Sequence, residues 1–246
     1  MRTCLFAGPT LYQEKIASPI ECFGPAAMGA VFRAVESGFR RIGIVDGYFG
    51  NMPSVWHKEI LFAIDQGVEV VGAASMGALR AAELSDFGMI GIGRIYRLYR
   101  SGRMNDDDEV AVIHAPRYLA FQPLSLAMVN IRYTLRRLVR HGAIGAALSA
   151  NISHRMKLRH FSRRTSSELH QSLTEIATNT DVNPDRILEQ FIAEYVDAKR
   201  LDAVALVDYL VNQVPLPERP REWTFPVTAH WRRQFQQDLA DVPPLA

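Results

Sequence analysis

The chain has 246 residues, of which 48% are hydrophobic and 22% are charged, and its formal net charge is +2. This is the composition of a globular protein with a sizeable core, and a charge this small gives no reason to expect binding to nucleic acid. No apolar run is long enough to span a bilayer, and the first ten residues lack the pattern of a signal peptide, so we expect a cytoplasmic protein that has no membrane partner.

The first half of the chain alternates between strand patterns and helix patterns. Short β-branched or apolar runs predict strands, and apolar residues at helical spacing predict helices. The predicted strands lie at residues 3–7, 41–45 and from 68 onward, and the predicted helices at 25–37, 53–66, the end of 68–84, and 91–100. The alternation predicts an α/β fold: a small, mostly parallel sheet flanked by helices.

The pattern changes from Pro123 onward, where strand signals disappear. Helical spacing continues through five segments, at residues 124–140, 143–160, 165–178, 184–199 and 201–214. A Pro-rich linker at 214–221 and a last helix near 230–240 follow. We therefore predict two parts: an α/β core over residues 1–122 and an all-helical C-terminal extension over 123–246.

The stretch VEVVGAASMGALRAAEL, residues 68–84, reads as a strand, a tight turn and a helix, with Ser75 at the turn. A serine oxygen there would face the first N–H groups of a helix, which have no intrahelical partner and stabilise negative charge. Small neighbours permit the sharp turn of a nucleophile elbow, although Ala73 replaces its first glycine. A simple helix cap remains the alternative for Ser75. Ala78 and Leu79 stand where a nucleotide-binding Walker loop needs Lys and Ser or Thr, so we predict no nucleotide cofactor.

The carboxyl ends of parallel strands lie along one edge of a sheet, where ligands usually bind. This places Thr10, Asp46, His57 and Lys58 near Ser75. Each also has an ordinary structural interpretation: Asp46 as a turn residue, His57 as a half-buried boundary residue and Lys58 as part of a solvated helix face.

Two charge runs follow. The acidic residues 106–109 suit a magnesium ion or, more simply, a solvated loop. Basic residues then accumulate up to 164 with no acidic residue between Glu109 and Glu168, a pattern typical of a solvated helical face or of a surface for an acidic partner. Cys4 and Cys22 fit no zinc spacing, and no motif demands a metal.

The residues also resemble a known family. The segments FAGPTL, IGIVDGYFGNMPSVWHKEILFAIDQGVEVVGAASMGALRAAEL, FGMIGIG, DDDEVAVIHAP and PLSLAMVNIR, in this order, resemble the core of the TfuA family over roughly residues 1–160. The resemblance implies a helper of a YcaO-family enzyme in the modification of ribosomally made peptides, a role in antibiotic biosynthesis. It further implies that sulfide for a backbone thioamide is released from the C-terminal thiocarboxylate of a ThiS-type sulfur carrier protein. The peptide substrate would then be only an indirect partner of this protein.

This role would make the protein a hydrolase with Ser75 as the nucleophile, because hydrolysis of a thiocarboxylate is an acyl transfer. His57 or Lys58 would take the proton of Ser75, and Asp46 would orient that base. The N–H groups of Met76 and Gly77 would hold the oxyanion. Thr10 and Arg80 are the remaining expected binding residues, and no motif fixes their role.

Two other functions remain open from the sequence. In the first, the protein serves only to dock the YcaO enzyme, as in a trifolitoxin-type pathway, and the basic helical region favours this. Alternatively, the glycine-rich turn binds a nucleotide or small anion, against which the missing lysine argues.

Overall fold

A computed structural model describes residues 1–16, 19–50, 52–178, 180–212 and 223–235, and the chain divides into two compact units. The first, here the sheet unit, comprises residues 1–105 together with the described residues from 200 onward. The second, the helical unit, comprises residues 106–199. The predicted Pro-rich linker at 214–221 lies outside the described residues.

The sheet unit is built on five parallel strands in the order β2-β1-β3-β4-β5. The strands are β1 (Thr3–Phe6), β2 (Ile20–Phe23), β3 (Arg41–Ile44), β4 (Glu69–Ala73) and β5 (Ile90–Ile92). The helices between and after them are α1 (Ala30–Glu36), α2 (His57–Asp65), α3 (Met76–Leu84) and α4 (Gly93–Arg100). The predicted α/β class and parallel sheet are therefore confirmed, and the strand order is one of the two common doubly wound arrangements.

Both faces of the central strands are covered, which explains why these strands read as apolar runs rather than as alternating patterns. Cys4 and Phe6 of β1 pack in one cluster with residues of α1, α2 and α3, whereas Leu5 packs in another with Val71 of β4. The second cluster also contains Ala203, Leu206 and Leu210, which all lie on the helix α9 (Ala198–Asn212).

The helical unit contains α5 (Met128–Arg140), α6 (Ala146–Leu158), α7 (Ser166–Ala177) and α8 (Pro184–Ala193). Apolar residues at helical spacing on all four helices form one buried cluster, with Met128, Leu135, Ile152, Leu173 and Phe191 among its members. The helical character predicted beyond residue 123 is thereby confirmed for the part of this region that the structure describes.

These units differ from the predicted division at residues 122 and 123. Residues from 200 onward pack in the sheet unit because α9 covers the second face of the sheet. The short α10 (Ala229–Phe235) likewise buries Trp231 and Phe235 against Phe32 of α1. No described helix is both long and apolar enough to cross a membrane.

Candidate functional site

The turn between β4 and α3 carries Ser75. Ala74, which precedes it, has φ +65°, a left-handed conformation that a residue with a Cβ rarely adopts. Close packing holds this turn in place: a Cβ added to Gly77 would lie 1.8 Å from the Ile44 carbonyl oxygen, and one added to Gly72 would lie 2.1 Å from the Gly77 oxygen. The backbone of α3 therefore lies directly against β3 and β4, as the small residues of the stretch predict.

Ser75 occupies the N-cap position of α3 and is only 2% exposed. Its side chain makes no capping hydrogen bond to the helix, so the simple cap interpretation does not describe this serine. The Gly77 N–H donates to the Val45 carbonyl over 3.1 Å and is thus already engaged, unlike the oxyanion donor it was predicted to be. Met76 is the first residue of α3, where the N–H has no intrahelical acceptor.

Asp46 is buried and fixes the loop after β1. Its Oδ2 accepts hydrogen bonds from the N–H groups of Gly8, over 2.9 Å, and Thr10, over 3.0 Å. Its Oδ1 accepts a hydrogen bond from the Thr10 hydroxyl over 2.6 Å. Asp46 also lies beside the Ser75 turn, because its neighbour Gly47 packs against the Met76 side chain. The structure therefore brings together Thr10, Asp46 and the start of α3 at the carboxyl edge of the sheet, where strand order reverses between β1 and β3.

His57 and Arg80 meet at a different point. His57 Nε2 donates to Glu83 Oε2 over 2.8 Å, and an Arg80 guanidinium N–H donates to the same oxygen over 2.8 Å. Although burial opposes ionisation, these hydrogen bonds lower the pKa of Glu83. Glu83 stands eight residues after Ser75, which is about 12 Å further along α3. In this structure the His57 imidazole therefore faces the second half of α3 rather than Ser75.

Lys58 also contacts a different part of the sheet unit. Its Nζ donates to the Thr228 hydroxyl over 2.8 Å and lies 5.5 Å from the centre of the Phe225 ring. Both contacts belong to the segment that leads into α10. Of the four predicted catalytic side chains, the structure thus places Asp46 next to the Ser75 turn and engages His57 and Lys58 elsewhere.

Two buried carboxylates near this edge were not predicted. Glu59 is 0% exposed and accepts the N–H groups of Gly29, Val31 and Trp56 over 2.8 to 3.0 Å and that of Phe32 over 3.3 Å. Burial raises the pKa of Glu59 to about 7. The signal in the sequence was a glutamate in the first turn of a helix, the position of a capping box.

Asp202 of α9 likewise accepts hydrogen bonds from the N-terminus of a helix, here α4. Its carboxylate accepts the Arg94 and Ile95 N–H groups over 2.9 and 2.7 Å, and burial raises its pKa. The N-termini of α1 and α4 are therefore each neutralised by a carboxylate, whereas α3 begins at an uncharged serine. The positive end of the α3 dipole would therefore stabilise negative charge that develops at Ser75.

The acidic run forms a cluster in the helical unit. Oxygens of Asp106, Asp108 and Glu109 lie within 4.8 Å of one another, a spacing that would suit a metal ion. Lys157 contacts all three, and Arg164, which is fully buried, pairs with Asp108. The carboxylates are thus neutralised by ion pairs, and Glu109 is buried rather than part of a solvated loop.

Comparison with known proteins agrees with the resemblance in the sequence. The model of the family described as TfuA-like protein matches residues 46–165, a range that begins at Asp46 and includes Ser75. A search of curated proteins gave no match to the chain. By this match, residues 46–165 form a TfuA-like domain; the TfuA-like family is associated with YcaO partners, and the match supports a role in a TfuA/YcaO-related pathway in general.

Proposed function

We propose that this protein hydrolyses the C-terminal thiocarboxylate of a ThiS-type sulfur carrier and so supplies sulfide for thioamide formation by a YcaO enzyme. The observation that carries the proposal is the Ser75 turn: a left-handed Ala74, a serine with no capping bond, and a helix whose first turn contains no acidic residue. A strained strand-to-helix turn of this kind presents a nucleophile beside donors for an oxyanion.

The chemistry balances in two steps. In the first, the Ser75 oxygen bonds to the thiocarboxylate carbon, the carbon–sulfur bond breaks, and the hydroxyl proton leaves on the sulfide as hydrosulfide. In the second, water attacks the acyl-serine, which releases the carrier carboxylate with one proton and restores the hydroxyl. Because the sulfur itself takes the serine proton in the first step, acylation has no net need of a protein base.

The other residues of this edge would position the reaction. Asp46 accepts three hydrogen bonds from the segment after β1, two from backbone N–H groups and one from the Thr10 hydroxyl. We assign it to holding the Gly8 to Thr10 loop beside the Ser75 turn. The Met76 N–H, at the start of α3, is the donor we assign to the oxyanion. For His57 or Lys58 to serve as the base for water, the first would have to leave Glu83 and the second Thr228.

Sulfide release from a purified ThiS-type thiocarboxylate tests the proposal, with the carrier checked by intact mass. We expect wild type to return the carrier to its plain carboxylate and Ser75→Ala to lose at least 100-fold in rate, as loss of a nucleophile does. Ser85→Ala is the matched control, because Ser85 lies at the other end of α3 and its buried hydroxyl has no partner among the described residues. It should retain the wild-type rate.

The second candidate is a docking protein that activates the YcaO enzyme without chemistry of its own. Burial of Ser75 and the engagement of His57 and Lys58 elsewhere favour it. The two functions separate in a complete reaction with YcaO enzyme, peptide, ATP and thiocarboxylated carrier. If Ser75→Ala supports thioamide formation at the wild-type rate while omission of the protein abolishes it, the docking role replaces the hydrolase.

A further inference from the structure

The helical unit contains a basic cleft that the proposed function does not use. It has a volume of about 370 Å³ and lies between α5 and α6. Its polar lining consists of Arg132, Arg136, Ser149, Ser153, His154 and Lys157. Arg132 and Arg136 are one turn apart on α5, and Ser149, Ser153 and Lys157 follow one another at single turns of α6, so each set shares a helix face. A cleft of this size is in the range of small-molecule sites.

Two of its cations are held in place by carboxylates from outside the lining. Glu109 accepts two hydrogen bonds from the Arg132 guanidinium, both 2.9 Å, and this pairing raises the pKa of Arg132. Lys157 Nζ pairs with Asp108 and lies 2.9 Å from Asp106 and 3.2 Å from Glu109. Glu109 itself is buried. These ion pairs fix the two cations without an incoming ligand having to order them, which lowers the entropic cost of binding.

Arg136 supplies charge that the fold leaves uncompensated. Among the residues that the structure describes, its guanidinium makes no ion pair, and its one recorded contact is with the Tyr133 ring, 5.8 Å away. By contrast, other members of the basic run are paired: Arg137 with Glu194, Arg155 with Glu175, and Arg159 with Glu168. The basic run is therefore mostly neutralised within the unit, and its unmatched charge at this cleft belongs to Arg136.

We propose that this cleft binds a phosphoryl group, either as free phosphate or as part of a small phosphorylated molecule. Donors approach it from two helices and include two guanidinium groups and two serine hydroxyls, whereas the Lys157 ammonium group is already paired with Asp106, Asp108 and Glu109. A planar carboxylate offers two oxygens in one plane, which suits a single guanidinium fork. A tetrahedral dianion offers three or more oxygens in different directions and can use donors on both walls. The proposal is independent of the reaction at Ser75.

Titration calorimetry with inorganic phosphate and with ADP, against acetate at the same ionic strength, tests it. We expect saturable binding of phosphate or of ADP at one site, with the tighter of the two identifying free phosphate or a larger phosphorylated molecule as the ligand. Arg136→Gln should weaken binding at least tenfold, since a charge-assisted hydrogen bond to the ligand is lost. Arg136 is exposed, so the variant should fold, as a melting temperature would verify.

Arg140→Gln is the matched control. Arg140 lies one turn further on α5, is exposed, and is outside the cleft lining, so this variant removes the same charge and should bind as wild type does. The proposal is overturned if neither phosphate nor ADP saturates the protein by about 10 mM. It is equally overturned if acetate binds as well as phosphate, or if the two variants bind alike.

Discussion

Gly77 lies where the backbone of α3 comes closest to the sheet. A Cβ at this position would lie 1.8 Å from the Ile44 oxygen, a distance at which the helix or the strand must move. We predict that Gly77→Ala lowers the free energy of unfolding of the sheet unit by about 3 kcal/mol or more, the size typical of overpacking and backbone strain. Chemical denaturation followed by tryptophan fluorescence measures this, because Trp56 and Trp231 belong to the sheet unit.

Gly145→Ala serves as the control for the same substitution. Gly145 has an ordinary φ of −78° and no atom within 4 Å of an added Cβ, so the change should stay within about 1 kcal/mol. Equal effects of the two substitutions would contradict the close packing of α3 against β3.

Glu59 links the stability of the protein to pH. Burial raises its pKa from 4.5 to about 7 in the folded state, so between these values the folded state holds a proton that the unfolded state has lost. The stability that Glu59 contributes is therefore complete below about pH 4.5 and is lost as the pH rises through about 7.

Comparison of wild type with Glu59→Gln at pH 5 and pH 8 measures this linkage, because glutamine does not titrate. We expect the stability advantage of wild type over the variant to shrink by up to about 3 kcal/mol from pH 5 to pH 8, the equivalent of the pKa shift. An advantage that stays constant or grows toward pH 8 would show that Glu59 is not the group whose titration matters.

At the scale of elements, helix starts along the carboxyl edge of the sheet are held by carboxylates from elsewhere in the chain. Asp202 on α9 caps α4, and the Arg94 N–H that donates to it lies 108 residues away in the sequence. We predict that Asp202→Ala lowers the free energy of unfolding by about 1 to 3 kcal/mol, because two N–H donors lose their acceptor. Asp208→Ala, an exposed position on the same helix, should change it by no more than about 0.5 kcal/mol.

Thermal unfolding of both variants distinguishes a cap from a general effect of charge on α9. If Asp202→Ala and Asp208→Ala shift the melting temperature equally, the capping interaction does not contribute to stability.

The ease of predicting an element depended on where it lies in the sheet. The inner strands β1, β3 and β4 are covered on both faces and read as apolar runs, so the sequence predicts them. The edge strands β2 and β5 were missed: β2 carries two exposed residues in four, and the three residues of β5 were assigned in part to the following helix. The caps Glu59 and Asp202 bind across long sequence separations, which periodicity does not report.

For the candidate site, the sequence predicted that Ser75, Asp46 and Thr10 lie at one edge of the sheet, but not the contacts of His57 and Lys58. A strand, small residues and a helix-forming run determine the turn locally, whereas side-chain contacts depend on tertiary packing. His57 lies on the expected helix but bonds to Glu83, and Lys58 bonds to Thr228, which no local pattern indicates. The role of each remains a prediction.

At the scale of the whole molecule, α9 is part of the sheet unit although it follows the helical unit in the chain. Leu206 is 0% exposed and packs with Leu5 and Val71 on the second face of the sheet. We predict that Leu206→Ala destabilises the sheet unit by about 2 to 5 kcal/mol, the cost of a cavity at a buried leucine.

Leu201→Ala on the same helix is the control, since Leu201 is 61% exposed and its truncation should cost less than about 0.5 kcal/mol. Denaturant unfolding of both variants gives the comparison. Equal stability of the two would contradict the packing of α9 on the sheet and favour an independent C-terminal helical part.

The most direct test of the central claim is a single-turnover reaction of the protein with a thiocarboxylated ThiS-type carrier, quenched at short times and followed by intact mass. We predict a transient species with the summed mass of the two proteins less hydrogen sulfide, with the carrier attached to the peptide that contains Ser75. Ser75→Ala should form no such species and should release no sulfide above the uncatalysed rate. Release of sulfide by Ser75→Ala at the wild-type rate would contradict the assignment of Ser75 as the nucleophile.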